Sequence, residues 1–433
     1  MRNLVWFSNT NLRIADNNVL EKACYENKPV IAVYCFDPRH YLEGDFGFKK
    51  TEKFRAKFLI ESVENLRKNL QDLNITLLIF RQKPEEILPD LVEKHHISTV
   101  FLQKEWTLEE REVIENVIRK SGKNVQFQSY FDQFLYHPDD IPYSDYPEIP
   151  KVFTEMRKRL EQQSEIREPI QKPKKFSEGN LVESVSEIPS LTDLGLEDFE
   201  VDARTAFPFR GGEDSALERI QHYFWETKKL ANYKETRNNL LGADYSSKLS
   251  AWLANGSISA RTIYQQIKSF EQKNGSNEST YWLIFELIWR DFFKYVSLKH
   301  GNALFKQGGI LNKEYDWKRS KKALNEWIAG NTKYDFVNAN MREIVKTGFM
   351  SNRGRQNVAS FWSKELNQDW RVGAAYFESM LVDYDVHSNW GNWMYNSGVG
   401  NDPRDRKFNI QSQAQRYDSN GAYQQRWLQE ELF

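Results

Sequence analysis

The sequence predicts an α/β N-terminal domain, built on a doubly wound parallel sheet, followed by an all-α C-terminal domain. Three observations predict this. Over residues 1–130, short apolar or β-branched runs alternate with segments of helical period. Residues 131–205 are interrupted by Pro142, Pro147, Pro150, Pro169, Pro173 and Pro189. From Phe207 the apolar period is helical to the end. At 433 residues the chain is also too long for one small core.

In the first part, strands are expected at 4–7, 29–36, 76–80, 99–102 and 125–127. Helices are expected between them at 19–25, 54–73, 84–94 and 108–119. Such alternation gives right-handed crossovers and a mostly parallel sheet. No Gly-x-Gly-x-x-Gly follows the first strand, so the dinucleotide fingerprint is absent. Glu105 and Glu109 follow a strand end, where open α/β sheets bind ligands. They also suit a helix start as solvated carboxylates. Residues 131–205 read as a long surface connection with one helix at 152–163.

In the third part (206–433), Gly211-Gly212-Glu213 precedes a helix expected at 215–225. Ser246, Ser247, Lys248, Leu249 and Ser250 lead into a helical run at 251–255. Free N–H groups and a helix dipole there suit an anion, and a serine at a helix start is also an ordinary cap. A helix at 281–293 carries Glu286, Trp289, Arg290 and Phe293 on one face. Glu286 is then half of an intrahelical pair with Arg290, or a buried carboxyl facing a pocket.

Composition narrows the function classes. No run approaches the roughly 18 apolar residues of a membrane span, and the N-terminus runs into a strand pattern without a signal-peptide core. Cys24 and Cys35 provide neither a disulfide framework nor a metal set. A reducing cytoplasm and a monomer fit this reading. The net charge is -1, so any basic groove must be local.

The chemistry concentrates in residues 340–402. Asn340-Met341-Arg342, Gly348-Phe349-Met350-Ser351-Asn352-Arg353-Gly354-Arg355-Gln356, Trp370-Arg371 and the stretch from Asp383 to Tyr395 mix rings with amides, guanidinium groups and carboxylates. A core excludes such polar groups unless they are paired. A surface does not hold Trp390, Trp393 and Tyr395 within six residues. The mixture suits the wall of a pocket for a large flat ligand with polar edges.

Ser351-Asn352-Arg353-Gly354-Arg355-Gln356, Trp390-Gly391-Asn392-Trp393 and Gly398-Val399-Gly400-Asn401-Asp402-Pro403-Arg404 resemble the flavin domain of DASH-type cryptochromes, a branch of the photolyase/cryptochrome family. Trp6-Phe7-Ser8-Asn9-Thr10-Asn11-Leu12-Arg13, Cys35-Phe36-Asp37-Pro38-Arg39 and Gly47-Phe48-Lys49-Lys50-Thr51 extend the resemblance over nearly the whole chain. Ser8, Asn11, Asp335 and Asn338 depart from the family pattern, where arginine, aspartate, proline and aspartate are usual. The resemblance implies a photolyase-like fold: an antenna domain at 1–130, an interdomain linker at 131–205 and a helical FAD-binding catalytic domain at 206–433.

The resemblance also implies residue roles. Tyr233, Ser246, Ser247, Lys248, Leu249, Ser250, Asn352, Arg355, Asp383, Asp385 and Asn389 would bind FAD, with Asn389 at flavin N5. Glu105 and Glu109 would face an antenna, often 5,10-methenyltetrahydrofolate. Trp317, Trp370 and Trp393 match a chain that carries an electron to the flavin. Arg237, Glu286, Trp289, Arg290, Asn352, Arg353, Gln356, Tyr395 and Gln413 would meet DNA, with Lys294 a further phosphate contact. The implied activity is a deoxyribodipyrimidine photo-lyase: light-driven splitting of cyclobutane pyrimidine dimers in single-stranded DNA. A blue-light receptor that binds FAD without repair is the other reading. Signalling cryptochromes commonly carry a C-terminal extension, whereas this sequence stops at Leu432-Phe433, which favours the enzyme. A photolyase for (6-4) lesions would want a histidine pair, and His387 alone lies in the pocket stretch.

Overall fold

The structure, a computed structural model, describes residues 1–26, 28–184 and 186–429; Leu432-Phe433 lie outside the described residues. Strands β1 (Arg2–Phe7), β2 (Val30–Cys35), β3 (Leu77–Phe80), β4 (Ile97–Gln103) and β5 (Gln126–Tyr130) form one parallel sheet in the order β3-β2-β1-β4-β5. All of β2 is buried, so it reads as an unbroken apolar run instead of an alternation. Helices α1 (Asn18–Tyr25), α2 (Lys53–Asp72), α3 (Pro84–Lys94) and α4 (Leu108–Lys120) connect the strands. Asn17 caps α1 by accepting from the Leu20 N–H at 3.0 Å. Pro84 opens α3. The strand order reverses at β1, so a crevice opens beyond the ends of β1 and β4.

The segment expected to be a surface connection is packed on both domains. Its first part enters the helical core through Phe134, Leu135, Tyr136 and Ile149, and through Phe153, Met156 and Leu160 of α5 (Phe153–Gln163). Its later part covers the sheet. Leu191, Leu194 and Leu196 join the strand core, and the Asn180 amide exchanges hydrogen bonds with the Val30 backbone at 2.8 and 2.9 Å. Prolines and polar residues hid these anchors, because single apolar residues at irregular spacing carry no period.

The remainder is helical: α6 (Glu213–Ile220), α7 (Tyr233–Thr236), α8 (Ser250–Ala254), α9 (Ala260–Asn274), α10 (Glu278–His300), α11 (Lys321–Ile328), α12 (Asp335–Thr347), α13 (Asn352–Ser360), α14 (Trp370–Met380), α15 (Val386–Ser397), α16 (Ile410–Tyr417) and α17 (Ala422–Leu428). α6 is shorter than expected and runs on as a π turn over Gln221–Glu226. α10 is longer, with Asn277 accepting from the Ser279 and Thr280 N–H groups. A buried ion cluster joins the two domains. Asp132 pairs with Arg13 at 2.8 Å and with Arg261 at 3.0 Å, and Arg261 also holds Asp16 at 2.7 Å. Asn338 is satisfied locally, whereas Asn11 is satisfied only through its oxygen, its Nδ2 being buried without a partner among the described residues. Asn11 Oδ1 accepts from the Ser8 N–H at 2.8 Å, and Asn338 Oδ1 accepts from the Thr332 N–H at 2.7 Å. Among the described residues no helix is long and apolar enough to cross a membrane.

Candidate functional site

The loop of Ser246, Ser247, Lys248 and Leu249 is held from behind by Arg219 of α6. The Arg219 guanidinium donates to the Ser247 carbonyl at 2.9 Å and the Ser246 carbonyl at 3.0 Å, and pairs with Asp244 at 2.7 Å. Lys248 adopts a left-handed backbone, φ +61°, uncommon for a side-chain-bearing residue. Its Nζ is buried, lies 3.2 Å from the Tyr245 ring centre and 4.4 Å from that of Phe349, and has no hydrogen-bond partner among the described residues. Burial without a partner pushes this ammonium well below the usual lysine range. The following helix, α8, has five residues, too short for the dipole the sequence suggested. What the loop offers an anion instead is the Lys248 side chain, which a bound phosphate would hold protonated.

A second wall is built by α13, α14 and α15. Arg355 donates through Nη2 to both Asp383 oxygens at 2.9 Å and through Nε to the Met350 carbonyl at 2.9 Å. Asp385 caps α15, accepting from the Ser388 N–H at 2.8 Å, and pairs with Lys294 at 3.1 Å. Burial pushes its carboxyl up, but Lys294, His387 and Arg290 outweigh burial and hold it far below the usual range. Asn389 donates to the Ala374 carbonyl at 3.0 Å, which fixes its amide and leaves Oδ1 without a partner among the described residues. Tyr233, opening α7, is buried beside Arg237.

A third wall faces outward. The Glu286 carboxylate is bonded to Arg237, not to Arg290, so the intrahelical pair does not form. Burial raises the Glu286 carboxyl above the usual range although Arg237 opposes it. The ring of Trp289 stacks on Phe153 with centres 3.7 Å apart and planes at 10°, and meets Tyr395 edge-on at 6.0 Å. Phe153 thus occupies one face of the Trp289 ring that was expected to meet a ligand. Arg353 donates to Gln356 at 2.8 Å and to Asn238 at 3.0 Å. It also lies 4.4 Å from the Tyr417 ring. Asn352 is exposed, Tyr395 accepts from Arg406 at 2.8 Å, and the Gln413 Oε1 is buried without a partner among the described residues.

Two expected nucleic-acid contacts need correction. Arg290 donates to the Gln133 and Leu253 carbonyls at 2.5 and 3.0 Å, so it ties α10 to the domain junction. Lys294 is buried against Asp385 and is not available to a phosphate. His387 is likewise committed: its Nδ1 lies 2.8 Å from Ser297 Oγ and its ring stacks on Trp106.

Trp370 and Trp393 meet at α14, and the backbone beside Trp317 pairs with the segment just before it. Trp370 opens this helix and is fully buried. Gly373, one turn on, lies against the Trp393 indole so closely that a methyl group there would sit 2.3 Å from it. Trp317 adjoins Lys318, whose backbone exchanges hydrogen bonds with Asn367 and Asp369 at 2.9 Å, just before Trp370. A cleft of about 880 Å³ separates the two domains and contains Glu105 and Glu109. Burial pushes the Glu105 carboxyl up to about 7, and it accepts from Thr10 and Gln103. Glu109 pairs with Lys50. The inner end of the cleft reaches Lys294 and Asp385.

The residues present fit a flavin dinucleotide. An unpartnered buried ammonium and a row of serine positions suit the diphosphate; Asp383, Arg355 and the free Asn389 Oδ1 suit the polar edge of a ring system. Sequence reasoning missed Arg219, Glu343 and Phe153. Arg219 stands far from the cradle in sequence, and Phe153 lies in the segment read as a connection. Glu343, one residue beyond Arg342 of the stretch that was singled out, was the signal available.

The family model described as "DNA photolyase" matches residues 3–174, and that described as "FAD binding domain of DNA photolyase" matches residues 282–431. The chain is similar to the "Cryptochrome DASH" of Gloeobacter violaceus, 48% identical over 99% of this chain and 85% of the relative. It is similar to that of Xenopus laevis, 46% identical over 99% and 83%. Its fold is similar to the crystal structure of a Synechocystis cryptochrome, with TM-score 0.93 and 44% identity over 99% of this chain and 88% of that one. A class III photolyase from Agrobacterium tumefaciens gives TM-score 0.80 and 26% identity, over 99% and 86%. Identity at this level over 99% of the chain, together with the FAD-binding family model, makes this chain a member of the DASH-type cryptochromes of the photolyase/cryptochrome family and an FAD-binding flavoprotein.

Proposed function

We propose that this protein is a deoxyribodipyrimidine photo-lyase acting on cyclobutane pyrimidine dimers in single-stranded DNA. The observation that carries this reading is Glu286. A carboxylate is held by Arg237 at the mouth of an aromatic wall, beside Trp289 and Tyr395, where an uninvolved surface needs no such group. FAD, when bound and reduced, supplies the photoexcited electron that such chemistry needs. Glu286, in its protonated form, and Arg237 orient the dimer and offer hydrogen bonds to the charge that develops on it. Trp289 and Tyr395 provide stacking surface, about 1–3 kcal/mol per base. Arg353 contributes a local cation on a chain of net charge -1. Extrusion of the lesion costs least from a single strand, which supports that substrate. Trp317, Trp370 and Trp393 would deliver electrons to the cofactor, and the interdomain cleft with Glu105 and Glu109 would hold a folate antenna. The test is repair of a dimer-containing oligonucleotide, single-stranded and duplex, by protein whose absorption spectrum is recorded in the same sample. Repair of the single strand in preference to the duplex is expected. No repair by reduced, DNA-bound protein would favour a photoreceptor.

A further inference from the structure

Glu343 faces inward from α12 and is buried. Its Oε2 lies 2.6 Å from the Tyr423 hydroxyl, which lies 3.0 Å from Asn340 Oδ1. The Asn340 amide is oriented by its N–H donating to the Phe336 carbonyl at 2.7 Å, so Oδ1 is an acceptor. Tyr423 has one hydroxyl proton to give. If it goes to Glu343, two acceptor oxygens face each other at 3.0 Å with no proton between them. If it goes to Asn340, Glu343 must carry its own proton and donate it to Tyr423. Only a protonated Glu343 satisfies both contacts.

The charged groups around it make that proton consequential. Lys248 and Tyr245 face Glu343 from the cradle, Arg355 from α13, and Tyr423 and Arg426 from α17. Arg355 is paired with Asp383, whereas Lys248 Nζ has no hydrogen-bond partner among the described residues. An ionised Glu343 would draw on Lys248 and repel an incoming anion; a neutral one does neither.

We propose that Glu343 is a proton-carrying positioning residue of the cofactor site, kept neutral so that Lys248 serves the FAD diphosphate, and that FAD binding therefore takes up a proton at Glu343. This rests on reading residues 246–250 as the diphosphate cradle. Burial already pushes the Glu343 carboxyl up to about 7, with Tyr423, Lys248 and Arg355 opposing. A bound dianion raises it further. Below about pH 7 the proton is present in both states and affinity is full. Above it the cofactor-free protein ionises, binding must recover the proton, and affinity falls as pH rises, approaching about tenfold per unit.

The experiment strips FAD from the full chain and measures reloading by flavin fluorescence from about pH 6 to about pH 9, with proton uptake counted by calorimetry in two buffers. The wild type should weaken above neutrality and take up about one proton. Glu343→Gln keeps a donor toward Tyr423, so it should fold, lose the Glu343 part of the pH slope and take up about one proton fewer than the wild type. A wild type with flat affinity and no proton uptake overturns the proposal without any variant. So does a Glu343→Gln slope equal to the wild-type slope. Lys248→Met should bind more weakly at every pH. Wild-type affinity in that variant overturns the cradle reading, while the Glu343→Gln slope decides the proton coupling alone.

Discussion

Arg355 of α13 and Asp383, in the turn that links α14 to α15, are bonded to each other, with Nη2 at 2.9 Å from both carboxylate oxygens. The pair ties α13 to the turn between α14 and α15. Family resemblance gives the two residues separate duties toward the flavin, and the geometry makes them one unit.

Asp383→Ala should therefore do two things at once. It removes a group suited to the ring edge and leaves Arg355 with the Met350 carbonyl as its hydrogen-bond partner among the described residues. Because Arg355 is a quarter exposed, the stability cost should stay below the roughly 3–5 kcal/mol of a fully buried broken pair. The flavin-to-protein ratio after purification should drop to largely apoprotein, with a fold that circular dichroism still reports as native. Full flavin occupancy would remove the ring-edge assignment.

Arg219 gives a second handle on the cofactor, at a distance. Its guanidinium spans two backbone carbonyls of the cradle and Asp244. Lysine cannot reproduce that fork. Each charged hydrogen bond is worth about 1.5–3 kcal/mol, so Arg219→Lys should weaken FAD retention by roughly tenfold or more. Flavin release on dilution, followed by fluorescence recovery, measures it. Unchanged release would mean the loop holds its shape without this support.

The fold was legible in the sequence where the pattern was dense. The five strands and four helices of the sheet domain lie within about two residues of the expected positions in nearly every case, because each carries a clear period. The Asp383 to Trp393 stretch was legible for a different reason: polar groups among aromatics are too costly to bury idly. What escaped was pairing. Nothing in the helix 281–293 announces that Glu286 reaches to Arg237 while Arg290 turns to Gln133. Nor does spacing tell that Phe153 covers a face of Trp289. These are contacts between segments far apart in the chain, and periodicity reports only the face on which a residue lies.

Photoreduction should depend on Trp393. Its indole packs against Gly373 of the helix that Trp370 opens. Trp393→Phe keeps an aromatic ring but removes the indole donor, so light-driven reduction of the bound oxidised flavin should slow strongly while FAD content stays unchanged. Transient absorption of the purified variant checks this. The ring of Trp327 lies 6.3 Å from that of Trp393 and 4.9 Å from that of Trp362, and Tyr376 is 5.5 Å from Trp327. Undiminished photoreduction would point to those rings as the donors.

Glu286 separates enzyme from receptor. Its carboxylate is set in an otherwise apolar run, raised above the usual range by burial and opposed by Arg237. A protein that never meets a lesion gains nothing by holding it there. Glu286→Gln keeps the size and a hydrogen-bonding group but loses the titrating proton and the pairing with Arg237. Glu286→Ala loses all of these and leaves Arg237 without its carboxylate partner. If Glu286 bonds the dimer as negative charge develops on it, both variants should slow splitting, alanine more. A lost hydrogen bond to a developing charge costs about 1.5–3 kcal/mol, roughly ten- to hundredfold in rate. Repair per absorbed photon on single-stranded DNA, with pre-reduced protein, is the measurement, and flavin content and photoreduction should not change. Because the wild-type carboxyl is raised, its protonated fraction falls as pH climbs, so wild-type repair should fall with it while Glu286→Gln stays level. Wild-type repair by Glu286→Ala would sink the role assigned to this residue.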